Sequence, residues 1–294
     1  MVAQVLAHLD PARGGIFVDG TVGLGGHAGA ILEAGATQLI GIDRDPAALA
    51  LAAAHLDPDG VARAAGRLAL VHGDYREFGR VLDERGIGSV DGILADLGVS
   101  SMQLDEPRGF SFRRDEALDM RMDTTAGPTA AEMIRDADEQ TLADVIYGFG
   151  EERHARRVAR GLVAARGAIE TTGQLADIVR RAIPRKGFSR IDPATRTFQA
   201  IRIWVNRELE GLDTFITEAA GRLAPGGRLV VIAFHSLEDR IVKHTLRALQ
   251  AGGELDLTIR TRRPEVADEA EVDRNPRARS AKLRAAERNE RAAS

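Results

Sequence analysis

Residues 18–32, VDGTVGLGGHAGAIL, set five glycines around one histidine directly after an apolar run. Gly20, Gly23, Gly25, Gly26 and Gly29 fall within ten residues. With no Cβ in the way, a strand-to-helix turn of this composition lets backbone approach a ligand closely. Gly23-Leu-Gly25-Gly-His-Ala28 also fits the loose dinucleotide pattern G-x-G-x-x-G/A, which by itself leaves the ligand open.

Residues 15–19 read as the short buried strand feeding this turn, and residues 28–34 as the helix leaving it. Gln38–Asp43 is a second strand ending in an acid, and Pro46 opens a helix to about His55. Leu68–His72 and Val90–Asp96 are third and fourth strands, with helical pattern over residues 76–85 between them. Strands alternating with helices predict an α/β fold with a Rossmann-like, doubly wound parallel sheet. Beyond Asp96 the alternation stops: residues 98–128 have little period, and residues 129–185 read as several helices. Asp192 and Pro193 then start a helix whose apolar positions Phe198, Ile201, Val205, Leu209 and Leu212 recur every three or four residues. Strand pattern returns in LAPGGRLVVIAFH, residues 223–235. The expected division is residues 1–104 with 213–294 for the sheet, and 105–212 for an inserted, mostly helical domain. The tail from about residue 265 is expected to be polar and only partly ordered.

The 294 residues are 44% apolar, enough for a core, and contain no cysteine, which excludes disulfides and thiolate metal sites. No other metal-ligand cluster stands out in the pattern. No uninterrupted apolar run approaches membrane-spanning length, and the start lacks a basic-then-apolar leader. The expectation is a soluble cytoplasmic protein with no membrane partner. The net charge of −4 is unevenly spread. Residues 151–210 carry 13 Lys/Arg against 7 Asp/Glu, and residues 274–294 carry 7 against 2, leaving about −15 on the remainder. Basic segments on an acidic body suit a polyanionic partner, and equally two solvated surfaces of an arginine-rich protein.

Ligands of open parallel sheets lie across the carboxyl ends of the strands. Asp19, the glycine turn, Asp43, Tyr75, Asp96 and His235 all fall at such ends. Asp43 lies 18 residues past Gly25, where an acid can bind both ribose hydroxyls, or instead cap the helix beginning at Pro46. An NAD, an adenosine cofactor and a mononucleotide remain possible on this spacing alone. The late turn-to-strand LAPGGRLVV and the polar loop from Asp96 to Gln103 favour S-adenosylmethionine.

Six segments taken together, DGTVGLGGHAGAIL, GIDRDPAAL, DGILADLGVSSMQLDEPRGFSFRRDEALDMRMD, DPATRTFQAIRIWVNRELEGL, LAPGGRLVVIAFHSLEDRIVK and NPRARSAKLRAAE, resemble in order the ribosomal RNA small subunit methyltransferase H (RsmH/MraW) family. The resemblance runs from about residue 15 to 287. It implies an S-adenosylmethionine-dependent methyltransferase sheet with an inserted helical domain. The implied reaction is methyl transfer to the exocyclic N4 of a cytidine in the decoding centre of small-subunit (16S) rRNA, within the assembled 30S subunit. The implied cofactor contacts are Gly25, Gly26, His27, Asp43, Tyr75, Asp96 and Gln103. Tyr75 stands where the family usually has Phe, and Asp192 where it often has His. The family's His-x-Pro-Val-Leu segment before the first strand has no counterpart in Met1-Val-Ala-Gln-Val-Leu6. Oligomeric state, monomer or homodimer, is not fixed by these residues.

Cytidine N4 is a poor nucleophile, so it must be held in line with the activated methyl and its hydrogens given an acceptor. DNA amino-methyltransferases use a (D/N/S)-P-P-(Y/F/W) loop, whereas this chain has Asp96-Leu-Gly-Val99. Asp96, Ser100 and His235 are the catalytic candidates, with Ser101 nearby. Phe110, Phe112 and Phe234 are candidates to stack on an unstacked base, or ordinary core residues. Arg185, Lys186, Arg190, Arg196 and Arg202 are candidate RNA contacts, though Arg196 and Arg202 could instead satisfy acids inside the insertion. The tail NPRARSAKLRAAERNER reads as a flexible basic arm that folds on RNA. The competing functions are an NAD-dependent oxidoreductase, against which the absence of a Tyr-x-x-x-Lys run counts, and a non-catalytic RNA-binding assembly factor.

Overall fold

Strands β1 (Ile16–Asp19), β2 (Gln38–Asp43), β3 (Leu68–His72), β4 (Val90–Asp96), β5 (Leu223–Ala233), β6 (Leu257–Ile259) and β7 (Lys282–Arg288) make one sheet in a computed structural model that describes residues 1–184 and 192–290. The order is β3-β2-β1-β4-β5-β7-β6. The first five strands are parallel, and β7 enters antiparallel between β5 and β6. Val18 sits opposite Ile40 on one side and Ile93 on the other. The near-continuous apolar runs of β2 and β4 follow from this, because a parallel strand is covered on both faces. One face packs Ile42, Ile93 and Val231 against Phe78, Phe215 and Leu246 from helices Phe78–Asp83, Leu212–Arg222 and Ser236–Gly252. The other packs Phe17, Leu39 and Leu94 against Val5, Ile31 and Ala52 from helices Val2–Leu9, Gly26–Glu33 and Pro46–Leu56. Helices on both faces are the doubly wound arrangement expected from the sequence.

The chain divides into two compact units, Met1–Gly98 with the chain from Glu210 onward, and Val99–Leu209. The first holds the sheet. The second is helical, with helices Ala130–Asp136, Glu139–Gly150, Ala155–Ala165, Thr172–Ala182 and Ala194–Asn206 around its own core of Leu142, Ile146, Val158, Leu175 and Ile201. A Cβ on Gly150 would lie 2.6 Å from the carbonyl oxygen of Arg196, so a glycine lets these two helices approach. The Asn206 amide donates to the carbonyls of Met120 and Arg202 (2.8 and 2.9 Å), and its Oδ1 accepts from Met122 N–H, pinning the irregular loop to the last helix. That helix stops at Asn206, where Arg207 turns left-handed at φ 51°, rather than continuing through Leu209 and Leu212.

The expected basic arm is corrected by β7. Leu283, Ala285 and Ala286 are buried in the sheet interior, and Arg284 is bound to Asp239 at 2.7 Å. The segment escaped the sequence reading because alanines fill its inward positions and charges flank them, so it carries only one large apolar side chain.

Candidate active site

The strand order reverses between β1, whose chain leads to β2, and β4, whose sheet neighbour is β5. The crevice at such a switch point is where a doubly wound sheet binds its ligand. Asp19, Asp43 and Asp96 occupy the carboxyl ends of the three adjacent strands β1, β2 and β4. Between β1 and β2 the glycine turn is held by Asp43, whose Oδ2 accepts from Gly23 N–H at 2.7 Å and whose Oδ1 accepts from Asp45 N–H at 2.9 Å. The helix Pro46–Leu56 is capped by Asp45, through Ala47 and Ala48 N–H, so Asp43 is not needed as its cap. Gly25, at φ 88°, caps helix Gly26–Glu33 in a backbone conformation that disfavours any side chain. A Cβ on Gly25 would also press on Leu56 at 2.9 Å, whereas Gly26 has open space where its Cβ would be.

Between β1 and β4 a chain of bonds runs from strand to strand. Asp96 N–H donates to Thr21 Oγ1 at 2.6 Å, and Thr21 N–H donates to Asp19 Oδ1 at 3.0 Å. Among the described residues the other oxygen of Asp19 is buried with no partner, and so is Asp96 Oδ1. Burial, reinforced by the neighbouring charges of Asp96 and Asp43, pushes the Asp19 carboxyl up to about 7. Burial likewise lifts Asp96 to about 7, with Glu238 adding to it. His27, in the first turn of the helix after the glycines, puts Nδ1 3.4 Å from Asp96 Oδ2, while its Nε2 is buried without a partner. Burial drags its pKa down to about 4, so the ring is neutral at physiological pH. Asp43 is also raised by burial.

Tyr75 follows β3, its ring edge-on to Phe215 at 4.8 Å, and its Cβ lies 3.0 Å from where a Cβ on Gly20 would stand. Burial holds its hydroxyl protonated. His235 is engaged as a helix cap: Nδ1 accepts from Glu238 N–H at 3.4 Å and Nε2 lies 3.2 Å from Glu238 Oε1. Phe234 packs over Gly98, 3.4 Å from where a Cβ there would be. The sheet unit thus brings together Gly25, Gly26, His27, Asp43 and Asp96, with Asp19 and Thr21 added. Asp19 was visible only as a strand-end acid, and its link to Asp96 depends on strand pairing across 75 residues.

In the helical unit, Ser100 and Gln103 form a reciprocal cap on the helix Ser101–Asp105: Gln103 N–H donates to Ser100 Oγ, and Ser100 N–H donates to Gln103 Oε1. Phe110 and Phe112 belong to that unit's core, Phe112 edge-on to Phe198 at 4.8 Å. Arg202 makes a two-pronged ion pair with Glu208 at 2.8 and 2.9 Å, the internal alternative considered for it, so its guanidinium is committed. Arg196 is exposed and bonds only to the Glu151 carbonyl among the described residues. Arg185, Lys186 and Arg190 lie outside the described residues.

A family model described as the MraW methylase family matches residues 1–289. The chain belongs to that family. Proteins named ribosomal RNA small subunit methyltransferase H are similar over almost its whole length. That of Bradyrhizobium diazoefficiens is 53% identical over 97% of this chain and 89% of its own. That of Geobacter sulfurreducens is 52% identical over 98% and 97%, and that of Sorangium cellulosum 51% over 97% and 88%. Membership makes the chain a methyltransferase with S-adenosylmethionine as cofactor, and the nicotinamide alternative falls with it. The residues fit this cofactor. Asp43 has lone pairs left for a ribose diol, the open backbone at Gly26 begins a helix suited to a carboxylate, and the buried Asp19 Oδ2, with no partner among the described residues, suits its cationic groups.

Proposed function

We propose that the protein methylates the exocyclic N4 of a cytidine in the decoding centre of small-subunit rRNA, acting on the assembled 30S particle in the cytoplasm. About 50% identity to small-subunit rRNA methyltransferases along nearly the full chain supports the substrate class. No helix among the described residues is long and apolar enough to cross a membrane. The helical unit, with Arg196 on its surface, is proposed to recognise the RNA, together with Arg185, Lys186 and Arg190.

The single observation carrying the chemistry is Asp96 Oδ1, buried without a partner on a carboxyl whose pKa is about 7. S-adenosylmethionine supplies a sulfonium methyl, already activated. What the chain must add is alignment and an acceptor for the N4 proton, and an acid with a pKa near ambient pH is well matched to that transfer. Thr21 holds the Asp96 backbone, and neutral His27 stands against Oδ2 without competing for charge. Asp43, Gly25, Gly26, Tyr75 and Gln103 are proposed to hold the cofactor, and Ser100 to position the loop after β4. His235 is proposed to act through the start of helix Ser236–Gly252 and the placement of Phe234.

Methyl transfer from labelled cofactor to unmodified small subunits, naked rRNA and DNA tests this reading. Label recovered as N4-methylcytidine from subunits is the expected result. Label on another base or on DNA, or none despite cofactor binding, would overturn it. Asp96→Asn should bind cofactor within a few-fold of wild type yet lose roughly 100-fold or more in rate, the usual contribution of a general base.

A further inference from the structure

A cavity with a cationic rim lies on the sheet unit away from the strand ends that carry the acids. We propose that it is a phosphate-binding groove that grips the RNA backbone beside the target. Its volume of about 400 Å³ is enclosed by helix Ser236–Gly252 and by β6, β7 and the loop after β6. Lys243, Arg247, Arg262 and Arg284 line it, with Gln250 and Thr258. Lys243 and Arg247 are four residues apart on one helix, so their charges face the same side and repel. Neither they nor Arg262 has a carboxylate within ion-pair distance among the described residues. Asp239, one turn before Lys243, is taken by Arg284 at 2.7 Å and Lys282 at 3.5 Å. Arg284 is thereby fixed as the buried floor, and the three free cations form the rim. Gln250 Oε1 accepts from Ile259 N–H at 3.0 Å, which leaves the amide NH2 as a donor, and Thr258 is exposed with its hydroxyl.

Three unpaired cations with neutral donors between them, on a protein of net charge −4, form a site for a multiply charged anion. The lining holds no aromatic ring of the kind that anchors protein partners, so a phosphodiester strand is the favoured occupant. The edge strand β6 is three strand spacings from β4, about 14 Å, or on the order of four nucleotides of stacked strand. The groove therefore holds flanking RNA, leaving the base itself to the strand-end site.

This inference rests on rRNA being the substrate, and the test separates the two. Binding of small-subunit rRNA fragments is measured by fluorescence anisotropy over a salt series for wild type, Lys243→Glu/Arg247→Glu, the milder Lys243→Gln/Arg247→Gln, and an Arg85→Glu control. Cofactor affinity is measured by calorimetry on each. Loss of two phosphate contacts should weaken RNA binding about tenfold and flatten the log K against log salt slope by about 1.4. KM for RNA should rise while kcat, cofactor affinity and the control stay at wild-type values. Wild-type slope and affinity in both double variants would overturn the groove and leave the rRNA reading standing. A wild-type protein that does not bind rRNA would overturn both.

Discussion

Replacing Asp19 by Asn tests the electrostatics of the strand-end acids without touching the fold. The carboxyl is 1% exposed, and its pKa is raised from 3.8 to about 7. Between those values the folded protein keeps a proton that the unfolded chain has released, so wild-type stability falls as pH rises. The loss is about 1.4 kcal/mol per pH unit, about 4 kcal/mol across the whole window. Asn does not titrate, and its Oδ1 can still accept from Thr21 N–H. Its NH2 takes the place of Oδ2, which has no partner, much as the hydroxyl of the protonated acid does. The variant should therefore match wild type near pH 4. Its stability advantage in cofactor-free protein should grow by about 3 kcal/mol between pH 5 and pH 8. Urea denaturation followed by circular dichroism at unit pH steps reads this directly. Saturating S-adenosylmethionine should shrink the difference, because a bound cation favours the ionised carboxylate that Asn lacks. Parallel stability curves for the two proteins from pH 5 to pH 8 would show that Asp19 is ionised in the folded state at low pH, and would refute the reasoning.

Asp43→Ala removes the acceptor of Gly23 and Asp45 N–H as well as the proposed ribose contact, and should weaken cofactor binding by about 10- to 100-fold in calorimetry. Gly41→Ala drives a Cβ to 2.3 Å from Val22 Cγ2 and should lower unfolding stability by about 1–3 kcal/mol, visible as a reduced urea midpoint. Arg202→Ala strands the buried Glu208 carboxylate and should destabilise the helical unit by about 3–5 kcal/mol. Arg202→Met with Glu208→Leu should recover most of that in the same denaturation assay, which a direct RNA contact by Arg202 would not explain.

The five parallel strands could be read from the sequence because each is a short apolar run closed by an acid, a glycine or a histidine. β6, three residues long, and β7, rich in alanine and charge, carry no such signal; their pairing with β5 comes from tertiary contacts. At the site, the positions of Asp43 and Gly25 follow from local spacing. The bond linking Asp96 through Thr21 to Asp19 does not, since nothing in the local pattern says that β4 lies beside β1. The helix starting near Asp192 was legible, but its end was not. Arg207 adopts a left-handed conformation without being glycine, and that turn places Glu208 against Arg202.

The insertion of β7 between β5 and β6 also orders events during synthesis. Residues 99–209 have left the ribosome well before residues 282–288 are made, so the helical unit can collapse around its own core while the sheet still has an open edge at β5. Until β7 arrives, β5 exposes unpaired N–H and C=O groups along an apolar strand, the kind of edge that recruits other chains. The nascent protein passes through an aggregation-prone interval that ends only when its last strand slots in, and a ribosome stalled before residue 282 would hold it there.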